Sequence, residues 1–452
     1  MKKLERITLD YFLSKKVFSY IKDREWAVFL CSNHEVFDSE RYDIITSDPV
    51  KKVFAYQNAT IIETNGEKKV FNDDPINVLN LIMKDYSSDI KDLPFTGGAI
   101  GYLSYDLGNK YESIECSESD DELPLMAFGI YDWAIIFDHH KKQTIIIYTK
   151  TNALIEDILD KFKTDSFPEI ALRDYKILSE CKSNLTYEDY HKRFNSIKSY
   201  IENGDCYQIN FSQKFSIDYE GDEWAIFNKI LPAYHSPYSV FMNLPFTKIM
   251  SFSPERFLSI DNGLVETKPI KGTRPVHADI KKNEQAKVDL ISSPKEKAEN
   301  LMIVDLLRND LGRNCEFGSI NVKELFAIET FANVHHLVST IQGKISSKSN
   351  EFNLIKGCFP GGSITGAPKI RSMQIIGELE PNKRGIYCGS IGYISSNGKT
   401  DLNIAIRTIL GNSRSLTFWG GGGIVYDSDA KSEYKETFDK VKPILDLLGT
   451  ST

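Results

Sequence analysis

The sequence predicts a fold that mixes antiparallel sheet with amphipathic helix, and three observations carry that prediction. Apolar runs meet across turn-forming residues at 128–149 and 250–270, which reads as two hairpins. Residues 75–90, 186–204 and 293–307 instead repeat their apolar side chains at helical spacing. Further β-rich segments at 239–270, 386–395, 403–410 and 415–426 alternate with helices. Neither an internal repeat nor a low-complexity tract interrupts the pattern.

Residues 26–30 and 41–45 read as buried strands. The helix at 75–90 places Ile76, Val78, Leu79, Leu81, Ile82 and Met83 on or near one face. After it, Gly97, Gly98 and Gly101 point to close backbone packing inside a sheet. The first hairpin has arms at 130–137 and 144–148 and a turn at 138–142. His139 and His140 fall in that turn and read as solvated, since only Asp138 is at hand as a further metal ligand. Residues 150–185 hold a short helix and irregular polar sequence, so the chain divides into 1–150, a connecting segment 151–185, and 186–445. A helix opens at Thr186, capped by the pair Thr186 and Asp189, with an apolar stripe of Tyr190, Phe194, Ile197 and Ile201. It stops at Gly204, and a strand over 206–215 follows.

With 452 residues, the length suits two or three domains. A net charge of −8 excludes a sequence-independent nucleic-acid binder, which needs a basic face. It also means that an anionic substrate needs a locally placed cation. The seven cysteines are odd in number and form no C-x-x-C pair, which points to a reducing compartment. The opening Met1-Lys2-Lys3-Leu4-Glu5-Arg6 leads into no apolar signal segment, and no window is long enough to span a membrane. A cytoplasmic protein without a membrane partner is expected.

The residues with chemical promise lie beyond 250. In the second hairpin, residues 250–260 form one arm, Asp261-Asn262-Gly263 the turn, and 264–270 the return. Glu255 and Lys271 then lie at the same end of the ladder. A three-residue loop would put them on one face and a two-residue Asn-Gly loop on opposite faces. Prolines at 269 and 275 and Gly272 stiffen the backbone around Lys271. A lysine held this way is either solvated or, if desolvated, a nucleophile. The helix opening at Ser293-Pro294-Lys295-Glu296 carries Glu299 on the same stripe as Met302, Ile303 and Leu306. A carboxylate on an apolar stripe is paired or binds a metal. Glu433 and Glu436 share a helix face, and together with Glu299 they suggest a Mg²⁺ site with open positions. The loop at 361–369 is not a Walker A motif, because Ala367-Pro368 stands where Lys-Ser/Thr is needed; the helix start after it suits an anion. The glycines at 420–423 allow close backbone approach to a ligand, and Arg407 is the candidate carboxylate clamp.

Five motifs occur in order: Pro269-Ile270-Lys271-Gly272-Thr273, Ala298-Glu299-Asn300-Leu301-Met302-Ile303-Val304-Asp305-Leu306, His335-His336-Leu337-Val338-Ser339, the 361–369 loop, and Gly421-Gly422-Gly423-Ile424-Val425. Together they resemble the chorismate-utilising enzymes, the family that includes anthranilate synthase component I. The resemblance covers nearly the whole chain and is strongest over 186–445. It implies an α+β fold of two large packed antiparallel β-sheets flanked by helices. It makes 1–150 a region like the N-terminal part of anthranilate synthase component I, and 186–445 the chorismate-binding catalytic region.

Lys271 narrows the implied activity to the branch that makes 4-amino-4-deoxychorismate, en route to para-aminobenzoate and folate. In the similar anthranilate synthases this position is usually alanine. In relatives that add water, a lysine base lies in a strand matching 206–210, where this chain has Gln208; that argues against isochorismate synthesis. The resemblance implies that Lys271 attacks C2 of chorismate and that Glu255 protonates the departing C4 hydroxyl. It implies Mg²⁺ on Glu299 and Glu436, with Glu433 in support, binding the ring carboxylate. Arg407, Tyr387 and the backbone near Gly423 would hold the other carboxylate. His336, Ser363, Thr365, Thr273 and Gln208 complete the implied substrate site. Ammonia would come from a separate glutamine amidotransferase subunit, because no cysteine here sits in a G-x-C-x-G elbow. Ser32 lies where a tryptophan pocket of the family would begin. Two alternatives stand beside this reading. One is an anthranilate synthase component I. The other is a non-catalytic chorismate- or tryptophan-binding regulatory subunit, against which Glu255, Lys271, Glu299 and Glu436 speak.

Overall fold

A computed structural model describes residues 4–32, 41–112, 114, 123–150, 153–168, 174–234, 236–331 and 334–451. Alternation of apolar side chains builds two antiparallel sheets, of 13 and 12 strands among the described residues. The first runs, edge to edge, through Glu5–Asp10, Gln143–Tyr148, Trp133–Asp138, Tyr42–Thr46, Ala27–Cys31, Tyr238–Asn243, Lys248–Ser253, Thr408–Gly411, Ser415–Ile424, Gln208–Gly221 and Tyr175–Ile177. The second runs through Ile270–Pro275, Val334–Lys344, Leu264–Lys268, Arg256–Asp261, Thr400–Asn403, Ser390–Ser395, Gly98–Leu103, Met126–Tyr131, Lys51–Ala55, Thr60–Thr64 and Glu67–Phe71. Both sheets draw strands from both ends of the chain.

Neighbouring residues on one strand serve opposite sides of the first sheet, as the two-residue period requires. Val28, Ile44 and Ile136 join a core shared with Val53, Tyr102, Phe128 and Leu258 of the second sheet. Phe29, Ile45 and Ile135 face the other way, into a core closed by the helices Ser14–Ile21, Glu223–Tyr234 and Ala430–Leu448. The two packed antiparallel sheets flanked by helices are thus the architecture that the family resemblance implied. The predicted close packing at Gly101 is also present. A Cβ there would stand 2.0 Å from the Ala127 carbonyl oxygen.

Several local expectations change. The helix predicted at 75–90 ends at Met83. Both hairpins form, Trp133–Asp138 with Gln143–Tyr148 and Arg256–Asp261 with Leu264–Lys268, but the first arm of each begins only after a sheet crossing. Met126–Tyr131 lies in the second sheet, and the chain crosses at Asp132 into Trp133–Asp138 of the first. Likewise Lys248–Ser253 lies in the first sheet, and Pro254-Glu255 carries the chain into Arg256–Asp261 of the second. A third crossing, between Thr400–Asn403 and Thr408–Gly411, includes Arg407. Apolar periodicity continues through such a crossing, so it cannot reveal it. His139 is buried rather than solvated: its Nε2 lies 3.1 Å from Asp43, and its Nδ1 lies 2.7 Å from the Tyr11 hydroxyl. His140 is exposed. The six described cysteines are buried, while Cys116 lies outside the described residues. No helix among the described residues is long and apolar enough to cross a membrane.

Candidate active site

Two of these sheet crossings run side by side. The amide of Ile404 donates to the Glu255 carbonyl at 2.9 Å, and the amide of Phe252 donates to the Arg407 carbonyl at 3.0 Å. Glu255 and Arg407 therefore leave the ladders at the same place and face one cavity of about 490 Å³. Lys271 reaches that cavity by another route. The turn is the two-residue Asn262-Gly263 type, with Asp261 paired to Leu264. Simple alternation would have put Glu255 and Lys271 on opposite faces. A register shift between Arg256 and Ser259 and the strand break at Pro269 override it. Gly272 follows at φ +74°, and a Cβ there would meet Glu296 and Leu290 at 2.8 Å.

Glu255 is buried. It accepts from the Ser363 hydroxyl and the Ile270 amide, yet burial pushes its carboxyl up to about 7. Such a group holds a proton near neutrality. Lys271 makes no ion pair among the described residues; its Nζ lies 3.5 Å from the Ser363 carbonyl oxygen. Desolvation holds its ammonium below the usual lysine range, with Glu299 and Glu255 pulling the other way. Arg407 sits at φ +50°, strained for a residue with a side chain, over the Tyr234 ring at 5.4 Å. Among the described residues no carboxylate pairs with it, and burial pulls it down. A buried guanidinium without a counter-ion faces a cavity as a receptor for an anion.

His336 accepts or donates at Nδ1 with the Thr273 hydroxyl (2.9 Å), while its Nε2 is buried without a partner among the described residues. Burial, and then the charge of Arg407, pull its imidazole down to about 3, so it is neutral. Tyr387 stacks on Trp419, with centroids 5.6 Å apart and planes at 7°. Gly423 also lines the cavity, with Gln208 packed behind it: a Cβ on Gly423 would stand 3.0 Å from the Gln208 Nε2. Both carboxamide atoms of Gln208 are buried and unpartnered among the described residues. Thr365 does not line the cavity. Its hydroxyl is spent on the Gly361 and Gly362 carbonyls, at 3.3 and 3.1 Å.

Glu299, Glu433 and Glu436 come from two helices, Pro294–Gly312 and Ala430–Leu448, and line the same cavity with Glu296. Glu299 lies at the edge of its helix's buried stripe, which is formed by Asn300, Ile303, Val304 and Leu307. Burial raises Glu299 and Glu433 above the usual carboxylate range. Ser428 donates to Glu433 at 2.7 Å, and Lys440 pairs with Glu436 at 2.8 Å. Opposite them is Gly422, where a Cβ would stand 3.1 Å from Glu433 Oε2 and 3.3 Å from Glu436 Oε1. The all-oxygen donor set and this gap fit a hard divalent cation. Among the described residues the carboxylates do not close into a cage by themselves.

Two glycine-rich readings change. The helix Lys369–Leu379 does not offer its N-terminus to the cavity; Lys369 is tied to Asp310 at 2.5 Å, and Ser363 and Ile364 form the wall instead. Gly420 and Gly421 lie within the strand Ser415–Ile424, where a Cβ would meet the Thr437 carbonyl at 2.3 Å and Ser212 Cβ at 2.6 Å. They admit protein neighbours on those sides, and both also line the cavity. Asn210 was missed, although it follows Gln208 by two on the same strand and lines the cavity. The period of two was signal enough. Ser32 borders a different cavity, of about 340 Å³, together with Arg41, Tyr238 and Tyr393. Its amide and hydroxyl donate to Asp43 Oδ1 at 2.9 and 3.2 Å.

Comparison with known proteins adds three kinds of finding. The family described as chorismate binding enzyme matches residues 36–446. Aminodeoxychorismate synthase component 1 of Escherichia coli K12 is 42% identical over 438 residues, 95% of each chain. Anthranilate synthase component 1 of Acetivibrio thermocellus is 36% identical over 90% of this chain and 86% of its own. Among solved structures, anthranilate synthase component I of Streptococcus pneumoniae TIGR4 superposes with a TM-score of 0.77 at 32% identity, covering 89% of this chain and 92% of that one. The menaquinone-specific isochorismate synthase of Escherichia coli shares the fold, with a TM-score of 0.75 at 14% identity, over 99% and 95%.

Proposed function

The chain belongs to the chorismate-binding enzyme family, and from that premise we propose that it aminates chorismate at C4 to give 4-amino-4-deoxychorismate. The observation that carries this reading is the trio of Lys271, Glu255 and Arg407 on one cavity: a depressed lysine, a protonated acid and an arginine without a counter-ion among the described residues. Identity to relatives named aminodeoxychorismate synthase component 1, at 40–42% over 95% of the chain, supports it as well.

The chemistry follows from these groups. Arg407, with Tyr387 and the backbone at Gly423, orients a carboxylate of chorismate. The neutral amine of Lys271 attacks C2, the ring double bonds shift, and the C4–O bond breaks. Glu255 gives its proton to the departing hydroxyl, which leaves as water. Ammonia then adds at C4, the double bonds return, the C2–N bond to Lys271 breaks, and Glu255 recovers a proton from the added nitrogen. The enolpyruvyl ether is untouched. Glu299 and Glu436, with Glu433 in support, would hold Mg²⁺, which when bound supplies positive charge opposite the ring carboxylate. Neutral His336, Thr273 and Ser363 give the cavity uncharged hydrogen-bonding groups. The ammonia is assigned to a separate glutamine amidotransferase subunit in the cytoplasm, consistent with the component 1 names of the relatives. The cavity beside Ser32 lies where a tryptophan pocket of the family would begin.

Product analysis tests the reading. Chorismate, ammonium and Mg²⁺ should give a product that retains the enolpyruvyl group by mass and lacks anthranilate fluorescence. Fluorescent anthranilate would replace this assignment with anthranilate synthesis, and absence of turnover with every ammonia source would favour a binding subunit.

A further inference from the structure

One buried cation lies outside the cavity and still touches its frame. Arg384 is 1% exposed and Glu380 7%. Arg384 Nε donates to Glu380 Oε2 at 2.9 Å and its Nη2 to Glu380 Oε1 at 2.7 Å. The rest of the guanidinium is spent on backbone: Nη1 donates to the Ile364 carbonyl at 2.9 Å and Nη2 to the Asn210 carbonyl at 2.5 Å. Glu380 Oε1 in turn accepts from the Ser212 amide and hydroxyl, at 2.9 and 2.7 Å.

Ile364 and Asn210 belong to different elements, and both line the cavity. Ile364 follows Ser363, whose hydroxyl bonds Glu255 and whose carbonyl lies 3.5 Å from the Lys271 amine. The amide of Asn210 donates to Thr365 at 2.9 Å, so the strand and the loop meet where the guanidinium grips both. The guanidinium also lies 4.5 Å from the Tyr105 ring centre and 6.0 Å from that of Tyr387. An ion pair buried this deeply is a poor stabiliser, because desolvation offsets its attraction. What it does supply is geometry. The planar fork serves both Glu380 oxygens and two carbonyls with four N–H bonds, and an ammonium has only three donors.

We propose that Arg384 is a positioning residue. Paired with Glu380, it fixes the Ile364 and Asn210 carbonyls, and through them it sets Ser363 against Glu255 and Lys271. The inference rests on the amination reading above for the reaction that it serves.

Two variants separate position from stability. Arg384→Lys keeps the charge and loses the fork. Arg384→Met combined with Glu380→Leu removes both charges with apolar replacements of similar bulk, a change that often preserves stability. Both are assayed with chorismate, ammonium and Mg²⁺. In each, kcat per folded enzyme should fall roughly 10²-fold, while KM for chorismate moves less than about threefold. The alkaline limb of the pH–rate profile should also move upward, because the Ser363 bond that holds the Glu255 carboxyl down is loosened. A residue needed only for folding would lower the melting temperature and leave kcat and that limb in place; this outcome in either variant overturns the proposal. If the paired variant does not fold, Arg384→Lys decides alone. If the wild-type protein makes no 4-amino-4-deoxychorismate, the amination reading fails. The positioning claim is then judged by a crystal structure of Arg384→Lys, where unmoved Ile364 and Asn210 carbonyls would refute it.

Discussion

Glu255→Gln should remove turnover and, at the same time, make the protein more stable. Burial moves the Glu255 carboxyl from an ordinary 4.5 to about 7. At about 1.4 kcal/mol per pH unit, ionising it in the folded chain costs about 3 kcal/mol more than in the unfolded chain. The sign follows from which state binds the proton. Below pH 4.5 both states are protonated and Glu255 costs nothing through this linkage. As pH rises from 4.5 to 7 the unfolded chain releases its proton and the folded chain keeps it, so stability drains away. Above about 7 the loss is constant. Glutamine does not titrate and can still accept from Ser363 and Ile270. The variant's advantage over wild type should therefore grow between these limits and level off near about 3 kcal/mol. Urea unfolding at a series of pH values measures it, and turnover should fall about 10²- to 10⁴-fold. An advantage that is flat with pH would refute the raised carboxyl. Retained turnover would refute the acid role.

Five further outcomes follow from the structure. Lys271→Ala should fold normally and lose turnover by roughly 10³-fold or more, as measured by product formation with ammonium. In the wild type the acidic limb of the pH–rate profile should lie below the usual lysine range, because desolvation lowers the ammonium and only the neutral amine attacks. Arg407→Met should raise the KM for chorismate about 10- to 100-fold, the worth of a charge-assisted hydrogen bond, with the melting temperature unchanged or higher. Chelation of divalent ions should abolish turnover, and added Mg²⁺ should restore it; full activity in chelator would remove the metal role from Glu299 and Glu436. Gly101→Ala, far from the cavity, should destabilise by about 3 kcal/mol, since its Cβ would lie 2.0 Å from the Ala127 oxygen. Its kcat per folded molecule should match that of wild type.

Local periodicity carried the strands and helices well. The Thr186 cap and the Tyr190, Phe194 and Ile197 stripe occur as read, with Thr186 Oγ1 accepting from the Asp189 amide at 3.1 Å. The Ser293 cap and the Pro294 start are likewise present. Those features depend on residues within four positions of each other. Sheet membership does not. Both predicted hairpins form across their turns, but each first arm was read too long, because a strand that changes sheets keeps its apolar character on either side of the break. His139 was misread for a related reason: its partners Asp43 and Tyr11 lie about 100 residues or more away in sequence.

The candidate site sits where local reading stops working. Glu255 and Arg407 each occupy a sheet crossing, and the two crossings are hydrogen-bonded to each other through Ile404 and Phe252. A ladder residue spends its backbone groups on neighbouring strands and its side chain on one face or the other. A crossing residue is released from that alternation and can direct its side chain into the gap between the sheets. Burial there supplies the desolvation that raises Glu255 and lowers Lys271. The cost is a pair of perturbed charges and a strained φ at Arg407, which a packed scaffold tolerates when the surrounding structure over-determines it. Elsewhere in the scaffold the buried Arg384–Glu380 pair, the Asn300–Ser339 hydrogen bond at 2.6 Å and the Lys369–Asp310 pair tie separate elements together. None of these three ties was legible beforehand, because each joins side chains whose closeness is a product of the fold itself or, for Arg384 and Glu380, of a turn beyond the helix end at Leu379.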